Sequence, residues 1–197
     1  MEKITNYKFK DFIKLKDSEK VESYLNLLEI LNPATEIVDP KFRIGKSKKI
    51  KLKRVRDLLF GQVTNIRTNL SIPTIESMIE MIMLVTGLKK KECYSIRILD
   101  FYAVLAAITA QIIELSDMEA NELGSEESDL DEALANERMA KFGILNIINS
   151  LAGDNILRWS EIEKLPYMVV FTKLKMDKEK SAIQKQMMES QKRKTNG

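Results

Sequence analysis

Apolar residues that recur at spacings of three and four are the feature that most limits what this chain can fold into. Such spacing places apolar side chains on one face of an α-helix. Prolines, glycines and asparagines separate the segments that show it. The sequence therefore predicts a mainly α-helical chain with a single helical domain, with helices over residues 19–31, 55–68, 75–85, 101–115 and 137–151 and a last helix that begins at Tyr167.

One segment departs from the helical period. Apolar residues alternate with cations on both sides of a turn at residues 45–47, which is typical of a β-hairpin. We expect a small hairpin near residues 41–54, with strands around residues 42–44 and 50–52 and one basic face. Nine cations occur here with no anion before Asp57, namely Lys41, Arg43, Lys46, Lys48, Lys49, Lys51, Lys53, Arg54 and Arg56.

Three interpretations of this basic segment stay open. It is a solvated hairpin face, a surface that pairs with a protein partner or with the acidic residues 114–132 of the same chain or a second copy, or a site for nucleic acid. Phosphate contacts alone would give salt-sensitive, nonspecific binding. Stacking on bases needs aromatic side chains, and Phe42 is the only one in the segment. The candidate binding residues are Lys48, Lys49, Lys51, Lys53, Arg54 and Arg56.

A second charged segment is acidic. Residues 114–132 contain nine acidic side chains and no basic one, and a Gly-Ser pair lies within them. Charge repulsion predicts a flexible acidic loop over residues 114–136. We expect residues 1–40 to form an N-terminal arm and helix, residues 41–175 the helical core, and residues 176–197 a basic, partly disordered tail.

The composition argues against catalysis. The chain has no histidine, one cysteine and seven glycines, so the usual general base, the commonest metal ligand and long phosphate-binding loops are all missing. Gly45-Lys46-Ser47 resembles the end of a P-loop, but Pro40 stands where that loop needs glycine. Cys93 has no histidine to act as its base. We expect no enzyme activity, catalytic residue, metal or cofactor.

The sequence also bears on location. The N-terminus has no apolar signal region, and the longest strongly apolar run, residues 103–113, falls short of the roughly 20 residues that span a bilayer. A single cysteine is typical of a reducing compartment. We expect a cytoplasmic protein that does not bind membranes.

The C-terminal segment offers the best candidates for protein binding. It contains the only tryptophan, together with a tyrosine and several methionines, and these residue types are common at interfaces. The tryptophan is equally compatible with a core position. The candidate protein-binding residues are Trp159, Tyr167, Met168, Met176, Met187 and Met188.

The order of these elements resembles a known family over about residues 41–180. A basic hairpin leads into Arg56-Asp57-Leu58-Leu59-Phe60-Gly61-Gln62-Val63. An apolar helix ending Leu84-Val85-Thr86-Gly87-Leu88 follows, and then Ile98-Leu99-Asp100-Phe101. Trp159-Ser160-Glu161-Ile162-Glu163-Lys164-Leu165-Pro166-Tyr167 precedes the last helix. This arrangement is similar to tail assembly chaperones and related small tail-morphogenesis proteins of tailed bacteriophages.

The resemblance implies a non-enzymatic protein of the host cytoplasm. Members of this family bind tail tube or tape-measure protein before polymerisation, so the implied partner is one of these or another virion component. Self-association and retention in the virion stay open. The alternative function is that of a nucleic-acid-associated virion or packaging protein that uses the basic segment at residues 41–56.

Overall fold

The computed structural model describes residues 7–14, 32–38, 48–124 and 141–195. Within these ranges the chain forms α-helices, two short 3₁₀ helices and one two-stranded antiparallel sheet, which confirms the mainly α-helical fold class. The elements are α1 (Phe9–Phe12), β1 (Glu36–Val38), β2 (Lys49–Lys51), a 3₁₀ helix (Val55–Asp57), α2 (Phe60–Ser71), α3 (Ile75–Thr86), α4 (Lys90–Cys93), α5 (Ile98–Leu123), α6 (Ile144–Leu151), a 3₁₀ helix (Ile156–Arg158), α7 (Trp159–Glu163) and α8 (Tyr167–Thr195).

The residues of this chain group into two compact units. The first unit comprises Met1–Leu58 and Gln62–Glu114, and the second comprises Leu59–Gly61 and Leu115–Gly197. Helices α2 and α5 therefore contribute residues to both units.

The core of the first unit forms around the N-terminal half of α5. Phe101 is fully buried and stacks on Phe9 of α1, with 3.7 Å between the ring centroids. Helix α3 begins at the Thr74 cap, whose hydroxyl accepts a hydrogen bond from the backbone N–H of Ser77. It ends at Gly87, whose φ of 72° is a conformation that favours glycine. The spacing that predicted α3 places its apolar side chains in this core, including Ile79, Met81, Ile82 and Val85.

The described residues contain a two-stranded antiparallel sheet whose second strand lies where the sequence predicted one. Ile37 of β1 pairs with Ile50 of β2, and this partner strand, Glu36–Val38, was not predicted. Ile37 is buried between two more exposed neighbours, which gives β1 the alternation that a half-buried strand needs. The predicted first strand and its turn lie outside the described residues.

The second unit is built around aromatic rings at the start of α8. Tyr167 stacks against Phe60 and Phe171, with ring centroids 6.5 Å and 6.4 Å away. The backbone N–H of Phe60 donates to the carbonyl oxygen of Leu165 over 2.8 Å. Gly61 lies so close to α7 that an added Cβ would be 3.0 Å from the Cβ of Glu163. A glycine at this position therefore permits the close approach of the chain to α7.

Helix α5 is longer than predicted and corrects the expectation for the start of the acidic loop. It continues through Glu114 to Leu123, whereas the apolar spacing predicted an end near Leu115. Leucine, methionine, alanine and glutamate all favour helix, and Leu115 is buried, so burial and propensity outweigh the repulsion. Residues 125–136 of the predicted loop lie outside the described residues.

Within the described residues, α5 alone is long and apolar enough to cross a membrane. The core helix of a soluble protein has the same property, and α5 buries Ile98, Phe101, Val104 and Ile108 in the first unit.

Helix α8 extends through most of the segment for which the sequence predicted a partly disordered tail. It runs from Tyr167 to Thr195 without interruption. Its distal half lacks the apolar spacing that marks a buried face, but it contains strong helix formers and no glycine or proline. Lys173 and Asp177 also form an ion pair one turn apart. Spacing predicts which face is buried, and propensity sets where this helix ends.

Other boundaries differ in smaller ways. Helix α7 begins at Trp159, and the Asn155 side chain caps the preceding 3₁₀ turn by accepting a hydrogen bond from the N–H of Leu157. The helix predicted from residue 137 begins at Ile144 in the structure, and residues 137–140 lie outside the described part. The helix predicted over residues 19–31 also lies outside it.

Candidate protein-interaction surface

One face of α8 is built into the core of the second unit. Tyr167, Val170 and Phe171 are buried, and the Tyr167 hydroxyl donates a 2.6 Å hydrogen bond to a carboxylate oxygen of Glu119 on α5. Because 3.6 residues make one helical turn, these side chains share one side of α8. This inner face fixes the position of the helix in the unit.

Lysines of α8 extend this attachment to the end of α5. Lys178 donates from Nζ to the carbonyl oxygens of Glu122 and Gly124, over 3.1 Å and 2.7 Å. The last carbonyls of a helix have no partner within it, so Lys178 satisfies groups that α5 leaves free. Lys175 forms an ion pair with Glu122, and its hydrogen bond and charge lower the pKa of that carboxyl. Cations also suit the negative C-terminal end of α5.

The opposite face of α8 carries exposed apolar side chains. Val169, Met176, Ile183 and Met187 are 53%, 60%, 55% and 60% exposed. We call these four residues the outer stripe. Seven residues turn an α-helix through about 700°, which is close to two full turns. Val169, Met176 and Ile183 are spaced by seven residues and therefore nearly align, and Met187 follows Ile183 one turn later. Val169 lies about 160° around the helix from buried Phe171.

The outer stripe lies in a basic helix. Helix α8 contains eight lysine or arginine residues and three acidic ones. Every described side chain from Ser181 to Gln191 is exposed. Most helices in proteins are stabilised by packing of one apolar face, and the outer stripe is such a face left exposed. The outer stripe is therefore suited to packing against another molecule.

The structure separates the predicted protein-binding residues into two groups. Met176, Met187 and Met188 are exposed, and the first two belong to the outer stripe. Tyr167 is only 2% exposed, so its side chain lies in the core of the second unit and not on its surface. The sequence places tyrosine as readily in a core as at an interface, and the stacking of Tyr167 on Phe60 decides for the core.

Trp159 and Met168 are intermediate between these groups. Both side chains are partly buried. The Trp159 indole N–H donates to the side-chain oxygen of Asn149 on α6 over 3.3 Å. Trp159 is thus anchored within the second unit while part of its ring stays accessible, which matches neither a wholly buried nor a wholly exposed position.

Four exposed apolar residues of the second unit were not identified from the sequence. Val169 and Ile183 complete the outer stripe, and the spacing of seven from Val169 through Met176 to Ile183 was the signal that could have found them. Ile156 and Leu157 form the exposed turn before α7, and Leu157 is 84% exposed. No periodic pattern in the sequence distinguishes that turn from a buried one.

The predicted basic candidates lie on the first unit. Lys48, Lys49, Lys51 and Lys53, with Arg54 and Arg56, all have exposed side chains. Lys49 pairs with Glu36 across the hairpin. These six exposed residues lie within one short stretch of the chain, residues 48–56. Lys41, Arg43 and Lys46 lie outside the described residues.

Cys93 is unfavourably placed for a role as a nucleophile. Cys93 is buried, and desolvation, followed by the charge of Glu92, raises the pKa of its thiol to about 11. A thiol with so high a pKa is a poor nucleophile.

Within the described ranges, no group of three or more cysteine, aspartate or glutamate side chains is arranged to hold a metal ion.

Comparison of the chain with protein-family models, with curated proteins and with solved structures finds no match.

Proposed function

We propose that this chain is a non-enzymatic protein that assists the assembly of a bacteriophage tail or virion by binding an unassembled structural partner. The observation that carries the binding role is the outer stripe of Val169, Met176, Ile183 and Met187 on a helix whose opposite face is already packed. The phage role rests on the resemblance of residues 41–180 to tail assembly chaperones. Tail tube protein and tape-measure protein are the expected partners, and the host cytoplasm is the expected place.

The binding mode follows from the helix. An amphipathic helix docks by placing its apolar residues, at spacings of about three, four and seven, into a groove of its partner. Methionine adapts to irregular apolar surfaces because its side chain is unbranched and flexible. Covering the outer stripe would shield apolar surface on the partner and on α8 alike. Lys173 and Lys180 lie beside the stripe and favour carboxylates at the rim of the groove.

Substitution of the outer stripe tests this mode. Met176→Glu, Ile183→Glu and Met187→Glu together should abolish co-purification with the tail tube or tape-measure protein of the same phage, because three charges would have to be buried. The expected loss of affinity is about 30-fold or more, the range of a strong interface residue. Co-expression, capture and a binding titration measure it.

A matched variant controls for the added charge. Ser181→Glu, Gln184→Glu and Gln186→Glu change exposed positions on other sides of the same helix by the same charge. This variant should bind within about threefold of the wild type, and both variants should keep the wild-type circular dichroism. Equal loss in both variants would reject the stripe as the binding face. If the wild type captures neither tail protein, the phage role is rejected.

A further inference from the structure

A hydrogen bond at the end of α3 brings two basic segments, residues 48–56 and residues 89–91, near to each other although they are far apart in sequence. The backbone N–H of Lys53 donates a 2.8 Å hydrogen bond to the carbonyl oxygen of Val85, in the last turn of that helix. Three consecutive lysines begin four residues after Val85, so at most about 15 Å of chain separates this hydrogen bond from the first of them. All nine side chains of the two segments are exposed. This basic patch consists of Lys48, Lys49, Lys51, Lys53, Arg54, Arg56, Lys89, Lys90 and Lys91.

The backbone beneath the basic patch is fixed at several points. Strand β2 pairs with β1, and the N–H of Leu52 donates to the carbonyl oxygen of Thr35 over 3.0 Å. The N–H of Val55 donates to the side-chain oxygen of Gln111 on α5 over 2.8 Å. These bonds hold both ends of the segment on the first unit. The cations are therefore presented from an ordered backbone, which lowers the entropy lost on binding.

The pleat of the strand directs the charges outward. Lys49, Lys51 and Lys53 are exposed and alternate with Ile50 and Leu52, which are partly buried. Successive side chains of a strand point to opposite faces, so Lys49 and Lys51 of β2 share one face about 7 Å apart. Lys53 follows two residues after the end of the strand. Charges of this spacing on one face can contact neighbouring phosphates of one nucleic-acid strand.

Few carboxylates offset these cations. Glu36 pairs with Lys49, and Glu92 accepts a 2.6 Å hydrogen bond from the backbone N–H of Lys89. Asp57 follows the patch in sequence. Among the described residues named here, nine cations stand against three anions, which makes these two segments strongly positive although the whole chain has a formal charge of only +3.

We propose that the basic patch binds the phosphate backbone of double-stranded nucleic acid. Lysine is depleted at protein–protein interfaces, whereas interfaces with DNA are far more positively charged. Single-stranded nucleic acid is held by stacking on aromatic side chains, and neither of the described stretches, residues 48–56 and 89–91, contains one. Contacts to phosphate carry no base information, so the binding is independent of sequence and sensitive to salt. This site is separate from the outer stripe and goes beyond the proposed function.

Fluorescence anisotropy with a labelled 30-base-pair duplex of random sequence tests the proposal. The full-length protein should bind at about 50 mM salt and lose affinity steeply as salt rises. Replacing Lys89, Lys90 and Lys91 with glutamine should reduce the slope of log affinity against log salt by about two to three, because each lost phosphate contact contributes about 0.9. At low salt the affinity should fall at least about 10-fold.

A control with the same change in net charge makes the result specific. Lys180→Gln, Lys185→Gln and Lys194→Gln remove three charges from α8 and should leave duplex binding within about threefold. The Met176→Glu, Ile183→Glu, Met187→Glu variant should bind duplex through an intact patch, which separates this site from the outer stripe. Thermal melting should show that each variant stays folded.

Four results would overturn the proposal. The first is that the wild type does not bind duplex at low salt, and the second is that the α8 control loses as much duplex affinity as the variant of Lys89, Lys90 and Lys91. The third is tighter binding to oligo-dT than to duplex of equal charge, and the fourth is tighter binding to polyglutamate than to duplex. The last result would assign the patch to an acidic protein.

Discussion

Replacing Phe101 with alanine is expected to destabilise the first unit by about 3–5 kcal/mol, the usual cost of removing a buried phenylalanine. Phe101 is fully buried, and its ring is nearly parallel to that of Phe9. The substitution removes this stack and leaves a cavity beside α1, which the surrounding helices fill only in part. Urea denaturation followed by far-ultraviolet circular dichroism measures the loss.

Ile113→Ala on the same helix is the control for Phe101→Ala. Ile113 is 57% exposed, so the substitution should change the stability by less than about 0.5 kcal/mol. If Phe101→Ala proves as mild as Ile113→Ala, the first unit does not have the core described above.

Replacing Tyr167 with alanine should have a comparable effect on the second unit, about 3–5 kcal/mol. The change removes the stacking on Phe60 and Phe171 and the hydrogen bond to Glu119. Tyr167→Phe keeps the rings and loses only the hydrogen bond, which costs about 1 kcal/mol. Trp159 is the only tryptophan and belongs to this unit, so its fluorescence during denaturation measures the effect.

The Tyr167 variants also separate a core role from an interface role. Val169→Ala, two positions along α8 on the exposed side, should change stability by less than about 0.5 kcal/mol. A Tyr167→Ala protein with wild-type stability and a lost partner would show that Tyr167 faces the partner after all.

The buried faces of the long helices could be predicted from the sequence. Apolar residues in α3 and in the first half of α5 occur at helical spacing because those residues face a core, and the structure buries Ile82 and Phe101 as that spacing requires. The stop of α3 at Gly87 and the break at Leu165-Pro166 follow from backbone restrictions that act locally.

The ends of α5 and α8 could not be predicted in the same way. Both helices continue beyond the residues that their spacing marks as buried, to Leu123 and Thr195. Helix propensity supports these extensions, and Lys178 satisfies the last carbonyls of α5 from 54 residues away or more. A single sequence gives no sign of a contact between such distant positions. The pairing of β2 with Glu36–Val38 was missed for the same reason.

The candidate sites were predicted to different degrees. The exposed cations from Lys48 to Arg56 are evident in the sequence, but their approach to Lys89–Lys91 depends on the hydrogen bond between Lys53 and Val85. Met176 and Met187 were identified by residue type alone. Their alignment with Val169 and Ile183 has meaning only once the opposite face of α8 is known to be packed.

Truncation after Lys180 tests the central claim, that the outer face of α8 binds a structural partner. The shortened chain keeps Lys175 and Lys178, which hold α8 to the end of α5, and removes Ile183 and Met187. Its melting temperature should stay within about 2 °C of the full-length value, because the described side chains of residues 181–194 bury little surface. Capture of the tail tube or tape-measure protein should fall at least about 10-fold, since half of the outer stripe is lost. Capture at the full-length level by a folded, truncated chain would contradict the account.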